Sequence, residues 1–352
     1  MKFIHCADLH LESKMESNFS SQLASERRRE LLFTFKRLLE YANETHADGV
    51  LIAGDMFDRN VTVRTLKSVL SYLQGTACPV YYLCGNHDDH NLSDLVTLPE
   101  NCFTFGEGWT SYRLGDVVVT STEAFGDDAV SSLSLNADDC NIVMLHGQIA
   151  DQNDKYAIRL SSLQNKNIDY LALGHIHSYA EGKLDERGTY AYSGCIEGRG
   201  FDECGEKGFV ELTVEGKKIT KKFVPFASLT LHEVEVPLSV HINTPYAVEN
   251  AMEQKLASIP KTDMVKVVFS GQRDPDFKFD PVYYEDSLRG RFRFSKVKDR
   301  SRLAIFADDY KNDVSLKGEF VRLVRASKLS PEDQDRVLEC GIRALRGEEV
   351  DG

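Results

Sequence analysis

Between Lys2 and His177, five short apolar runs each stop at a side chain that can bind a metal. Residues 2–7 end in Asp8-Leu9-His10, and residues 49–53 in Gly54-Asp55. Residues 80–84 end in Gly85-Asn86-His87-Asp88, residues 141–145 in His146-Gly147, and residues 170–173 in Gly174-His175-Ile176-His177. Apolar runs this short, bounded by glycine and polar residues, read as buried strands. A strand delivers whatever follows it to one edge of a sheet. Five such deliveries limit the chain to folds that gather strand ends in one place.

Amphipathic helices fill the first two gaps. Leu31, Leu32, Phe35, Leu38, Leu39 and Ala42 mark one face of a helix over 25–45. Leu66, Val69, Leu70 and Leu73 mark another over 62–74, with Gly75 placed to stop it. Strand, helix, strand, helix, strand is the α/β pattern, whose sites lie at the carboxyl ends of strands. Segments 112–114 and 117–120 flank Gly115-Asp116 as a hairpin, and 189–193 and 208–214 are further strands of a second sheet.

After Phe226 the pattern restarts. Strand 231–236, helix 245–258 and strand 264–270 make a small βαβ unit. Residues 271–280 read as a polar connector, and 291–298 as a strand with one charged face. Helices over 316–326 and 331–346 close the chain, the last opening on Ser330-Pro331-Glu332-Asp333: a cap, a proline at the first helical position and acids in the first turn. The expected division is 1–227, 228–280 and 281–352.

The net charge of −13 argues against a surface coated in positive charge for loose nucleic-acid binding. Metal-binding carboxylates are part of that count, and bound cations would offset them locally. No apolar run approaches the roughly 18 residues of a membrane span, and the N-terminus reaches a charged residue without a signal-like segment. A cytoplasmic protein with no membrane segment is expected. The eight cysteines are scattered without a Cys-x-x-Cys pair, so they read as reduced thiols.

The candidate metal ligands are Asp8, His10, Asp55, Asn86, His146, His175 and His177. Carboxylate, imidazole and amide oxygen suit Mn²⁺, Fe²⁺ or Zn²⁺, and the absence of thiolate argues against a structural zinc knot. In Asp8-x-His10 and His175-x-His177 the two side chains are two apart and can reach one site. Glycine before Asp55, Asn86 and His175 lets the chain turn and leaves room for ions. Two ions roughly 3.5–4 Å apart need a shared ligand, and Asp55 is the natural choice. They would share a hydroxide for in-line attack on phosphorus. His87, beside Asn86, is placed to stabilise developing charge or protonate the leaving oxygen. Asp58 is positioned to orient His87, and Arg59 to meet the phosphate. Taken singly these motifs are weak, since Asp-x-His arises by chance and Gly-Asp-x-x-Asp is usually a turn. Their order, each after an apolar strand, makes coincidence a poor explanation. His5, His46, His232 and His241 read as packing or surface residues, and His90 as a residue that touches substrate at most.

With these motifs the chain resembles the calcineurin-like metallophosphoesterase superfamily over roughly its first 225 residues. Ala7-Asp8-Leu9-His10-Leu11 and the stretch from Gly198 to Phe209 resemble, within it, the SbcD-like DNA repair exonucleases, prokaryotic relatives of the eukaryotic double-strand-break nuclease. The resemblance implies a four-layered α/β/β/α sandwich, a small α+β cap domain and C-terminal helices. It implies two Mn²⁺ ions, one held by Asp8, His10, Asp55 and His177, the other by Asp55, Asn86, His146 and His175, with His87 catalytic. Cleavage of DNA as an exonuclease or endonuclease, homodimerisation and docking of an SMC-like coiled-coil ATPase on the C-terminal helices are also implied. Phe320, Leu323, Val324, Leu338, Ile342 and Leu345 are the apolar faces for such docking, or for packing on the chain's own core. Two departures stand out: the C-terminal part is short, and Ser193-Gly194-Cys195-Ile196-Glu197 stands where many relatives are rich in Pro, Gly and Asn.

Two other readings remain open. One is a phosphodiesterase or phosphatase for nucleotides or small phosphoesters. The other is a DNA-tethering scaffold subunit with weak or no turnover. The basic series Arg289, Arg291, Arg293, Lys296, Lys298, Arg300 and Arg302 favours DNA, but it also fits one solvated strand face.

Overall fold

The computed structural model describes residues 1–16, 19–59, 61–89, 91–124, 130, 132–150 and 156–347. It divides into two units, Met1–Thr230 and Leu231–Gly352.

The strands of the first unit are, in order, β1 (Lys2–Cys6), β2 (Gly49–Ala53), β3 (Val80–Leu83), β4 (Cys102–Thr104), β5 (Thr110–Leu114), β6 (Val117–Ser121) and β7 (Cys140–His146). They continue with β8 (Gln148–Ile149), β9 (Ala157–Ile158), β10 (Tyr170–Gly174), β11 (Ala180–Lys183), β12 (Thr189–Tyr192), β13 (Gly208–Glu215) and β14 (Lys218–Pro225). One six-stranded sheet has the order β14-β13-β1-β2-β3-β4, the other β11-β12-β10-β7-β6-β5. Strands β1 to β4 are mutually parallel, as are β6, β7, β10 and β12. Register aligns the strand ends: Cys6 with Ile52, Ala53 with Leu83, and His146 with Gly174. The residues that follow therefore emerge along shared edges.

The sheets pack face to face. Phe3, Leu51, Tyr81 and Leu83 of the first meet Val119, Ile142, Met144, Tyr170 and Ala172 of the second in one core. Alternate residues of β7 and β10, including Val143, Leu145, Leu171 and Leu173, face a second core with Leu163 and Ile168. Burial on both faces is why these strands read as unbroken apolar runs. Each large side chain so buried contributes about 1.5–3 kcal/mol.

Helices α1 (Ser21–Glu44) and α2 (Val63–Gln74) belong to the first unit. Helix α1 begins four residues before the expected start, because Ser20 caps it by accepting from the Leu23 amide and its first turn is too polar to carry an apolar signal. It buries Leu31, Phe35, Leu38, Leu39 and Ala42, and also Arg27 and Thr34. Those two polar residues donate to the buried Glu197 carboxylate, at 2.9 and 2.7 Å. The Ser228 amide adds a third donor at 2.6 Å. The departing segment around Ser193–Glu197 is thus fastened to a helix by an ion pair and a hydrogen bond as well as by its buried Cys195 and Ile196.

In the second unit β15 (Leu231–Leu238), β16 (Met264–Arg273) and β17 (Phe294–Asp299) form one parallel sheet, with β18 (Arg302–Leu303) pairing to β16. Helix α3 (Pro245–Leu256) connects β15 to β16 and buries Val248, Met252 and Leu256. Strand β16 runs three residues beyond its expected end. The segment expected as a polar connector also supplies two core aromatics, Phe277 and Phe279, the latter stacked on Tyr284 of α4 (Pro281–Ser287) with ring centroids 5.2 Å apart. Two phenylalanines spaced by a lysine leave too short a pattern to read. Strand β17 starts at Phe294 and shares the βαβ sheet, so residues on both sides of position 280 serve one core. Helices α5 (Leu316–Arg325) and α6 (Pro331–Leu345) pack Val321, Val324, Leu338 and Ile342 against Leu303 and Tyr310, whereas Leu323 and Leu345 stay exposed. All eight cysteines are free. No helix among the described residues is long and apolar enough to cross a membrane.

His5 joins the two sheets of the first unit, its Nδ1 lying 2.9 Å from the Tyr170 hydroxyl. Burial pushes its pKa down to about 3. The unfolded chain binds a proton near 6.5 that the folded chain refuses, so stability is full above that pH and is lost as pH falls toward 3. Between those limits the loss is roughly 4–5 kcal/mol at 1.36 kcal/mol per unit. Urea unfolding of the parent and His5→Gln over this range should show the parent losing stability more steeply. Equal slopes would contradict a buried neutral histidine.

Candidate metal centre

The loops after β1 and β2 continue to pair beyond the strands. The Asp8, His10 and Leu11 amides donate to the Gly54, Asp55 and Met56 carbonyls at 2.9–3.0 Å. The His87 amide donates to Asp55 Oδ1 at 2.8 Å, and the Arg59 amide to the His87 carbonyl at 3.0 Å. The His175 amide donates to Asp8 at 2.9 Å. Asp8, His10, Asp55 and His175 all have positive φ, between 43° and 95°. Four of the ten non-glycine residues in that costly region among the described residues are thus candidate ligands, which marks where strain is held. Two glycines make the close approach feasible: a Cβ at Gly54 would collide with the His146 ring, and one at Gly85 with the Asp55 carboxylate.

The seven side chains converge. His10 Nε2 lies 3.1 Å from His177 Nε2 and 3.6 Å from Asp55 Oδ2. His146 Nε2 lies 3.3 Å from the same Asp55 oxygen and 2.9 Å from Asn86 Oδ1, which is also 2.9 Å from His175 Nδ1. Potential ligand atoms of Asp8, His10 and His177 fall within 4.8 Å of one another, as do those of Asp8, Asp55 and His146. Asp8, His10, Asp55 and His146 are fully buried.

The hydrogen-bond pattern does not close on protein atoms alone. His146 Nδ1 donates to the Ala53 carbonyl at 2.9 Å, which leaves Nε2 of the neutral ring bare against the Asn86 oxygen. His177 Nδ1 is held by Glu203 Oε1 at 2.8 Å, which turns its Nε2 toward His10 Nε2, 3.1 Å away. Asp55 Oδ2 and His10 Nδ1 are buried with no hydrogen-bond partner. A bare ring nitrogen on His146 and an orphaned carboxylate oxygen aimed at one another are what bound cations would satisfy, and imidazoles fixed through the opposite nitrogen are typical of metal ligands.

Electrostatics agree. Burial works to lower the His146 pKa, but Asp55 and then Asp8 more than reverse it, up to about 9. Burial raises Asp8 to about 6, against the pull of His146 and His177. Burial also acts to raise Asp55, yet the neighbouring His146 and His10 hold it well below the ordinary carboxylate range. The pocket draws positive charge toward Asp55.

His87 stands at the edge, with its side chain 38% exposed, and its Nδ1 is 3.1 Å from Asp58 Oδ1. Three residues that the sequence reading gave no role hold this arrangement. Asp88 accepts from the Met56, Phe57 and Gly85 amides at 2.8–3.2 Å, tying the loop after β2 to the loop after β3. Glu203 orients His177, and Arg199 is clamped to Glu203 at 2.6 Å. The i, i+4 acid–base spacing of Arg199 and Glu203 in a glycine-rich turn was the available signal. His5 is packed, His232 lies 2.8 Å from Asp263, and neither they nor His46 and His241 join a ligand group among the described residues. His90 lies outside the described residues.

Residues 1–179 match the family model described as calcineurin-like phosphoesterase. The DNA double-strand break repair protein Mre11 of Methanosarcina acetivorans is 26% identical over 85% of this chain and 50% of its own length. The uncharacterized metallophosphoesterase YhaO of Bacillus subtilis is 27% identical over 63% of this chain and 60% of its own. A solved dimetal phosphatase from Danio rerio overlays 63% of this chain and 95% of its own with a TM-score of 0.43 and 11% identity. The chain spans about half to three fifths of the length of the first curated relatives it matches. With a family model covering half of its residues, the chain belongs to the calcineurin-like phosphoesterase family.

Proposed function

We propose that the protein is a dinuclear metal-dependent phosphodiesterase that cleaves DNA, with Met1–Thr230 as its catalytic domain. The observation that carries the metal reading is the set of unsatisfied acceptors around Asp55 Oδ2. Asp8, His10 and His177 with Asp55 would hold one ion, and Asn86, His146 and His175 with Asp55 the other. Mn²⁺ suits this oxygen and imidazole set, and Fe²⁺ or Zn²⁺ would fit the same donors. Two bound divalent ions supply Lewis acidity and move water acidity from about 15.7 toward 7.

The chain's own residues do the rest. Asp55 would be the shared ligand, because its Oδ1 is pinned by the His87 amide while Oδ2 stays open. The hydrogen bond to Asp58 turns His87 so that its Nε2 is free to protonate the leaving oxygen. Arg59, exposed and joined through its amide to His87, is available to the substrate phosphate.

DNA as substrate is supported by the names of the Mre11 relatives and by the exposed Lys296 and Lys298. The wider basic series gives weaker support, since Arg289, Arg291 and Arg300 are engaged by Asp286, Glu253 and Glu233. The charge of −13 favours a second reading, hydrolysis of small phosphoesters. A homodimer and a coiled-coil ATPase partner belong to the first reading. The groove of about 320 Å³ bounded by Leu316, Phe320 and Leu345 supports docking on α5 and α6.

Asp55→Asn should abolish binding of both ions in a Mn²⁺ titration. Asp58→Asn should bind both and lose rate. Identical metal binding in the two variants would remove the distinction between a bridging residue and one that positions His87. With Mn²⁺, the parent should degrade linear duplex DNA and also cleave bis-p-nitrophenyl phosphate. His87→Ala should retain metal and lose about 10²–10⁴-fold in rate. Cleavage of the chromogen alone would select the small-ester reading, and no turnover of either by the metal-loaded parent would select a scaffold.

A further inference from the structure

The turn Gly198-Arg199-Gly200-Phe201-Asp202-Glu203 lies between β12 and β13 and reaches the edge of the metal centre. Arg199 Nε and Nη2 hold both Glu203 oxygens at 2.6–3.3 Å, and the Arg199 amide donates to Glu203 Oε2 at 2.8 Å. Nη2 also lies 3.1 Å from His177 Nδ1. The Arg199 side chain is 16% exposed and that of Glu203 only 5%. The turn is itself anchored, since Arg27 Nη2 donates to the Gly198 carbonyl at 3.0 Å as well as to Glu197.

A fixed cation here is out of place if its task is only structural. It sits beside imidazoles arranged for cations, with Nη2 within hydrogen-bonding distance of the His177 ring. Glu203 offsets one unit of charge and could be held by Nε and Nη2 alone. The Nη1 amine makes no hydrogen bond to protein among the described residues, and it is not among the buried unpaired atoms. A guanidinium with one side locked and the other open to solvent is pre-organised for a tetrahedral oxyanion.

We propose that Arg199 forms an oxyanion-binding site at the rim of the metal centre. Its Nη1 amine takes a non-bridging oxygen of the substrate phosphate while Glu203 holds the guanidinium still. Glu203 is then a positioning residue twice over, for His177 and for Arg199. The proposal rests on the phosphodiesterase reading for its substrate but not for its ligand chemistry, because inorganic phosphate presents the same oxygens.

The test is calorimetric titration of inorganic phosphate into Mn²⁺-loaded parent, Arg199→Gln and Arg199→Lys proteins, with metal content measured on the same samples. Arg199→Gln should keep both ions and lose on the order of 10- to 100-fold in phosphate affinity, the range of one charge-assisted hydrogen bond. Arg199→Lys should lose less, and millimolar guanidinium chloride should restore part of the loss in Arg199→Gln. Unchanged phosphate affinity, or no phosphate binding by the parent, would overturn the proposal. So would loss of metal from both variants, which would make Arg199 only a peg for Glu203. A parent that binds phosphate through Arg199 but cleaves no phosphodiester would sink the phosphodiesterase reading and leave this site standing.

Discussion

The Asp55 carboxylate is buried, with Oδ1 taking the His87 amide and Oδ2 facing His10 and His146 without a hydrogen-bond partner. A buried acceptor left in that state costs about 1–3 kcal/mol, more when charged. His146 cannot remove the deficit as a neutral ring, because the Ala53 carbonyl already takes its other nitrogen, and His10 Nε2 stands 3.6 Å away. The protein therefore holds a concentrated demand for positive charge. The raised His146 pKa expresses that demand as a proton, and cations would meet it fully.

Holding such a pocket open requires rigidity in the chain around it. The loop pairing of Asp8 to Leu11 against Gly54 to Met56, and the three amides gathered by Asp88, keep the acceptors from relaxing apart. The positive-φ conformations of Asp8, His10, Asp55 and His175 are costly, on the order of 1–3 kcal/mol each, and persist because the two packed sheets fix the strand that opens each loop. The buried Arg27–Glu197 pair serves the same end on the far side, anchoring the turn that carries Arg199 and Glu203. Removing one partner of such a pair typically costs 3–5 kcal/mol, so this anchor is not readily dispensable.

Much of this was legible in the residues. The strands around Leu51, Ile142 and Leu171 are buried on both faces, so composition alone marked them, and each ended where a site residue was expected. The start of α1 was not legible because Ser20 acts through one side-chain hydrogen bond, not a pattern. Phe277 and Phe279 were hidden for a related reason: their core is built with residues of other elements, such as Phe269 of β16 and Tyr284 of α4. Asp88, Arg199 and Glu203 were quoted within motifs, yet their tasks depend on backbone amides and ring nitrogens that only the folded chain brings near. Ligands were recognisable by type, whereas the residues that position them are ordinary acids and bases whose meaning is geometric.

A metal ion on each side of Asp55 is the claim on which the reading of this site depends. A crystal grown with Mn²⁺ and measured at the manganese absorption edge tests it directly. Two anomalous peaks roughly 3.5–4 Å apart, both within bonding distance of Asp55, are expected. A single peak, or two with Asp55 bound to only one, would contradict the account.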